Sequence, residues 1–313
     1  MKPMPIMRLR IFFTTLRAVC LSVLFMLLIA APAFAHGARP PVVVAYAGSM
    51  GAVMDHAFGP AFEKLHNVRY QGVGQGSYGL ARLIAGRQLR ADVFVAITPG
   101  PVEVLEKAGL AGRVRPVAGT RMVLVYSPKS RFADDFAAVE KGRASWHEVL
   151  SRRGLRLGRT DPEIDPQGAN ALFVLQLAER HYRQKGLLEK IAGATHNPRQ
   201  IFSETSLMSR LEAGQIDAAI GYLSAARSHR LPTVELPAEI NLAELSAAAA
   251  GHARLEFDDG TVLEPRPLVF YAVVPANAAR PGLGEAFVEL LRSERGREIF
   301  RDHGYGPVTG EPP

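Results

Sequence analysis

Val42-Val43-Val44-Ala45-Tyr46-Ala47-Gly48-Ser49-Met50-Gly51 is the stretch on which the fold turns. Residues 42–46 are a continuous apolar run rich in β-branched side chains, the pattern of a strand buried on both faces. Ala47-Gly48-Ser49 is a turn of small residues. After it, Val53, Phe58, Phe62 and Leu65 recur at helical spacing through residues 52–65. Strand, short turn and helix are the opening of a βα unit.

The same alternation continues outward. A second strand is expected at 68–73, a glycine-rich turn at 74–79 and a helix at 78–85. Asp92-Val93-Phe94-Val95-Ala96 predicts a third strand and 99–108 a third helix. Strands alternating with helices predict βαβ units, a parallel sheet and the α/β fold class. A second α/β block follows, with strands at 121–126 and 218–222 and helices at 169–182 and 206–212. A final strand at 268–274 and a helix from 284 complete one of the blocks. The expected division is residues 36–118 for a first lobe, 119–231 for a second, and 232–313 for the return to the first. The proline-rich tail, 306–313, reads as loose.

Residues 1–35 read as a signal peptide. The first 17 residues are basic, 18–31 are apolar, and Ala33-Phe34-Ala35 is a small-x-small cleavage pattern. The apolar run is short for the roughly 20 residues of a spanning helix. Cys20 lies early in that run rather than after it, which excludes lipid attachment. The expected product is a soluble, exported, cysteine-free chain from His36.

The chain has 313 residues, 48% hydrophobic and 21% charged, an ordinary globular composition. Its formal charge is +7, but Lys2, Arg8, Arg10 and Arg17 lie in the leader, which has no acidic residue. The remainder carries 33 Lys and Arg against 30 Asp and Glu. That balance gives no case for nucleic acid.

Three strand-to-helix turns carry hydroxyls or bare backbone. They are residues 47–51, residues 74–79, and Asp161-Pro162-Glu163-Ile164-Asp165-Pro166-Gln167-Gly168. A helix start offers unpaired N–H groups and the positive end of the dipole, which suits an anion. Ser49 and Ser77 can instead be plain N-caps. Three such turns in one exported α/β chain favour an anion site. Gly74-x-Gly76-x-x-Gly79 matches a dinucleotide-binding pattern literally, but it falls on the second βα turn, and an exported chain meets little NAD. No Gly-Lys-Ser/Thr follows it. The nine His show no metal-ligand spacing. Asp161 with Asp165 is the nearest approach to a paired acid site, and turn capping explains it as well. Trp146-His147 and the basic stretch 152–159 read as solvated surface.

In these residues the chain resembles the periplasmic molybdate/tungstate-binding proteins of ATP-driven (ABC) importers, over nearly all of the exported part. The motifs run in order: Ala47-Gly48-Ser49 with Pro60-Ala61-Phe62-Glu63-Lys64; Gly76-Ser77 with Ala91-Asp92-Val93-Phe94; Asp161-Pro162-x-x-Asp165-Pro166-x-Gly168 with Leu175-Gln176-Leu177-Ala178-Glu179; and 236–242, Leu-Pro-Ala-Glu-Ile-Asn-Leu. The resemblance implies a type II two-lobe fold with a hinge and an oxyanion held in the interlobe cleft. It implies donors from Ser49 and Ser77 in one lobe. From the other it implies the backbone around Gln167, Thr205 within residues 204–206, and the Tyr222 hydroxyl. It implies molybdate or tungstate as ligand, no cofactor, no enzymatic activity, and a monomer that docks on a membrane ABC permease. One branch of that family places a Glu just before the Tyr and completes an octahedral centre with the Asp equivalent to Asp165. Here Gly221 stands at the Glu position. The resemblance is therefore closer to a tetrahedral anion held by hydrogen bonds, with Asp165 a metal ligand only if the centre is octahedral. Another oxyanion such as sulfate, a sensor without transport, and a secreted enzyme using Asp161 and Asp165 stay open as alternatives.

Overall fold

The computed structural model describes residues 41–245 and 250–308. The expected leader, with Cys20 and the cleavage pattern, lies outside the described residues. No helix among the described residues is long and apolar enough to cross a membrane.

Two mixed sheets form the framework. The first has the strand order β2-β1-β3-β11-β4, from Arg69–Gln75 (β2), Pro41–Ala47 (β1), Val93–Ile97 (β3), Val269–Val273 (β11) and Arg115–Gly119 (β4). The second has the order β6-β7-β5-β8, from Leu157–Gly158 (β6), Ala218–Tyr222 (β7), Met122–Tyr126 (β5) and Thr233–Glu235 (β8). A small antiparallel hairpin joins Leu255–Glu256 (β9) to Val262–Leu263 (β10).

The α/β class holds, but the sheets are not purely parallel. β1 pairs in parallel with β2 and β3, as the βαβ reading requires. β11 returns antiparallel between β3 and β4. β5 is antiparallel to both β7 and β8. Apolar runs report burial on two faces and carry no information on strand direction. β8 lies beyond the expected boundary at 231/232, so the second sheet extends to Glu235. A three-residue edge strand is too short to show alternation.

Side-chain alternation divides the first sheet between two cores. Val42, Val44, Tyr46, Val93, Val95 and Ile97 face a large core that continues into Met122, Leu124, Ala218 and Ile220 of the second sheet. Ala45, Phe94 and Ala96 face the other way, against Leu80 and Ile84 of the Ser77–Ala85 helix and Leu105 of the Gly100–Lys107 helix. Burial of this kind contributes about 25 cal/mol per Å² of apolar surface.

Two segments cross between the sheets side by side. The Met122 N–H donates to Asn241 O (2.8 Å), the Leu268 N–H to Leu242 O (3.1 Å), and the Thr120 N–H to Leu268 O (3.0 Å).

Three other expectations need correction. Trp146 and His147 are buried, not surface. They lie in the short Trp146–Leu150 helix, whose indole N–H donates to the Tyr182 hydroxyl at 3.1 Å. A single turn between polar flanks carries too few residues to show periodicity. Within the basic stretch, Arg152 and Arg153 are exposed, but Arg159 is fully buried. The tail is tied down at its start: Gly306 and Gly119 exchange two backbone hydrogen bonds of 2.8 and 3.0 Å.

Candidate functional site

The site forms where loops at the ends of three strands meet. The β1 strand ends at Ala47, and a 3-10 turn, Gly48–Met50, carries Ser49 inward. The helical stretch then continues through Gly51–Val53, a π turn at Met54–Phe58, and Gly59–His66. β2 ends at Gln75, and Gly76 caps the helix on which Ser77 is the first residue. From the second sheet come the turn 160–165 and the loop 201–205. These segments line a cavity of about 420 Å³ that includes Gly48, Gly76, Thr160, Asp165 and Glu204. The contact between the two sides is close. The Gly79 N–H donates to Ile164 O at 3.1 Å, and the Arg82 guanidinium donates to Glu163 O at 2.9 Å. A Cβ on Gly76 would lie 2.6 Å from Ile164 O and 3.0 Å from Asp165 Cβ.

Ser49 and Ser77 are buried, and neither acts as the side-chain N-cap that was the plain alternative. The Ser77 Oγ has no hydrogen-bond partner; Ser49 Oγ and Thr160 Oγ1 make no regular hydrogen bond and lie beside the carboxyls of Glu204 and Asp165. Buried hydroxyls are normally satisfied, so orphans of this kind mark a place where another molecule or water is bound.

The second side is arranged differently. Asp165 is the N-cap of the Pro166–His181 helix, and its carboxylate accepts the Gln167 N–H at 3.0 Å. Pro166 at the first helical position costs no backbone bond. The Gln167 side chain accepts from the Thr160 N–H (2.7 Å) and donates to Ile220 O (2.6 Å). It thereby ties the 160–165 turn to β7. The Tyr222 hydroxyl accepts from Asn170 Nδ2 at 3.1 Å. Its own proton remains available. Gly168 is required by its surroundings, because a Cβ there would lie 2.2 Å from Thr160 O.

Thr205, the expected donor of the 204–206 segment, is exposed at the cavity wall, 3.4 Å from Ser203 Oγ. Its neighbour Glu204 points inward instead. Glu204 opens the Glu204–Ala213 helix, and Ser203 is that helix's N-cap. Its Oε2 accepts the Ser49 N–H at 2.7 Å, across 155 residues of chain.

Burial pushes the Asp165 carboxyl up to about 6, against the pull of the Gln167 N–H. Burial also pushes Glu204 well above the usual carboxylate range, and the charge of Asp165 adds to it. The Tyr222 phenol is raised by burial first, then by Glu204 and Asp165. Among the described residues neither carboxylate has an ion-pair partner, and no three potential metal ligands gather. The nearby buried cation, Arg159, spends its donors on Gln200 Oε1 (3.3 Å), Ala194 O (3.1 Å) and Thr195 O (2.6 Å). Its backbone bridges Ile201, so it braces the loop that presents Glu204. Burial lowers its pKa, with Asp161 opposing that shift.

Sequence reading named Ser49, Ser77, Asp165, Gln167, Thr205 and Tyr222; Asp165 and Thr205 line the cavity, while Ser49, Ser77 and Gln167 lie on the segments that adjoin it and Tyr222 at the end of β7. It missed Thr160 and Glu204. The signal for Thr160 was its place before the Asp161-Pro162 turn. Glu204 gave only an ordinary first-turn acid.

Paired sheets, two crossings and a polar cavity between strand ends define a solute-binding protein of the periplasmic-binding type. Residues 42–306 match the bacterial extracellular solute-binding protein family, and the chain belongs to it. It is 33% identical over 262 residues to an uncharacterized solute-binding protein of Methanoculleus marisnigri, covering 75% of this chain and 72% of that one. It is 26% identical over 289 residues to the molybdate/tungstate-binding protein WtpA of Pyrococcus abyssi, covering 84% and 83%. Among solved structures, the periplasmic molybdate-binding protein of Azotobacter vinelandii superposes with a TM-score of 0.57 at 18% identity, over 86% of this chain and all of that one. The last likeness is one of fold.

Proposed function

We propose that this chain captures molybdate or tungstate in the cavity between its two sheets, in the periplasm, and delivers the anion to an ABC permease. The observation that carries this reading is the set of buried hydroxyls without a regular hydrogen bond: Thr160 Oγ1 on the cavity wall, and Ser49 and Ser77 directly after the wall residues Gly48 and Gly76. Neutral O–H donors can replace the water around a dianion without a countercharge. A site of this kind releases its guest when the sides part, because no Arg or Lys pair has to be broken. The relative from Pyrococcus abyssi, which carries the molybdate/tungstate name, supports the choice of anion. The family's extracellular placement supports the compartment.

In this reading residues 41–118 and the C-terminal return form one lobe, and residues from 119 to the end of β8 form the other. The crossings that meet at residues 120–122, 241–242 and 268 act as the hinge. Ser49, Ser77, Thr160 and Tyr222 donate to the anion. Gln167 holds the turn in shape, and Asp165 caps the helix. The role is stoichiometric capture, with no turnover, by a monomer.

Calorimetric titration of the purified chain with molybdate, tungstate, sulfate and phosphate tests the reading. One-to-one binding of molybdate or tungstate, with a matching rise in Tm, is expected. Binding of sulfate alone would reassign the anion, and binding of none of the four would remove the function.

A further inference from the structure

The Ser49 backbone N–H follows Gly48, which lines the cavity from the first side. Glu204 already takes this N–H, at 2.7 Å. The fit is tight: a Cβ on Gly48 would lie 3.2 Å from both the Cβ and Oε2 of Glu204. Glu204 is 4% exposed and has no cationic partner among the described residues. Among the described residues its carboxyl bonds to Ser49. The carboxylate therefore sits as an anion would, on the donor that an incoming anion needs. One N–H cannot serve two oxygens at full strength. A fully ionised guest offers Glu204 no hydrogen in return, while a guest bearing its own O–H does.

We infer that Glu204 is a specificity-determining residue: its carboxylate occupies the Ser49 amide as a built-in competitor that a fully ionised oxyanion must displace before the site closes on it. This rests on the oxyanion reading above. Glu204 thus sets a threshold. Weakly held anions do not dislodge it, and a guest that fills the other hydroxyls does. Its position at the first turn of its helix, braced from behind by Arg159, keeps it aimed at the Ser49 turn. An apolar residue there would leave the amide free, and a Gln would keep the shape without the charge.

The test compares the full chain with Glu204→Gln and Glu204→Ala by calorimetry, using molybdate as the proton-free probe and inorganic phosphate near neutral pH as the proton-bearing one. The Tm of each unliganded variant establishes that it folds. Glu204→Gln is expected to bind molybdate more tightly by roughly tenfold, since an acid that repels a dianion whenever it is ionised is removed from the site. Its molybdate-to-phosphate preference should rise by a similar factor. Glu204→Ala should move the same way if Glu204→Gln does. Weaker molybdate binding in both variants would mean that the guest needs the carboxylate, and unchanged affinity and preference would make Glu204 a packing residue; either overturns the inference. If wild type and both variants bind neither molybdate nor phosphate, and wild type binds neither tungstate nor sulfate in the titrations above, the oxyanion reading itself fails and this inference falls with it. Wild-type binding without a gain in the variants sinks the inference alone.

Discussion

The two sides of the cavity solve their polar bookkeeping in opposite ways. On the first side, Ser49 and Ser77 are buried with hydroxyls that make no regular hydrogen bond within the protein. On the second, Asp165, Gln167, Thr160 and Ile220 form a chain of short hydrogen bonds closed within the protein. The second side thus carries an internal hydrogen-bonded brace that the first side lacks, although Thr160 Oγ1 on it is as unsatisfied as Ser77 Oγ. Binding and stability should therefore respond to different residues, even though the residues are close neighbours.

The sharpest separation comes from two glycines. Gly168→Ala drives a methyl into Thr160 O within the second side. It is expected to destabilise the unliganded chain by about 3 kcal/mol, read as a fall in denaturant midpoint. Gly76→Ala meets the other side instead, at Ile164 O and Asp165 Cβ. It should weaken molybdate binding by about 1–3 kcal/mol while leaving a variant that folds. Equal losses of stability from the two would erase the distinction.

Gln167→Ala and the serine variants sharpen it. Gln167→Ala strands a buried N–H and a buried carbonyl, so unfolding should become easier by about 2 kcal/mol. Ser49→Ala and Ser77→Ala strand nothing. Each should weaken anion binding by about 1–3 kcal/mol, with little change in Tm. A serine variant that melts early yet binds normally would contradict the assignment.

A smaller effect lies in the pH profile. The folded-state pKa of Asp165, about 6, is above its ordinary value of 3.8. The folded chain therefore holds this proton more tightly than the unfolded chain. Its stabilising contribution is full below pH 4 and is lost as pH rises through about 6. The loss is at most about 3 kcal/mol. The stability difference between wild type and Asp165→Asn should thus grow less favourable to wild type from pH 4 to pH 7. A difference that stays flat across that range would mean that Asp165 is ionised throughout. Smallest of all is Gly221→Ala. A Cβ there meets only Val125 Cγ2 at 3.5 Å and Gln167 Nε2 at 4.0 Å. Stability should change by less than about 0.5 kcal/mol.

What could be read from the sequence follows the same division. Continuous apolar runs located β1, β3, β5, β7 and β11, because burial on both faces leaves a local mark. Turn residues located Ser49, Ser77 and the 161–168 segment, because helix starts have their own chemistry. Strand direction was not legible, since β11 depends on partners from distant parts of the chain. β8, β9 and β10 have two or three residues each and are too short to show a period. Glu204 was hidden for a related reason. Its role depends on meeting Ser49, and nothing near residue 204 announces that meeting. Burial of Trp146 and Arg159 was concealed by the polar residues around them.

The placement of β11 has a consequence for how the molecule is made. Phe270 pairs with Ile97 on one side and Ala118 on the other, so the strand that fills the middle of the first sheet comes from near the C-terminus. The second sheet draws all its strands from one uninterrupted segment, 122–235. It can assemble as soon as that segment is free. The first sheet has a gap until almost the whole chain has emerged, and such distant pairings form slowly. The half that presents Ser49 and Ser77 therefore matures last, and a truncated chain lacking β11 gains no working anion seat.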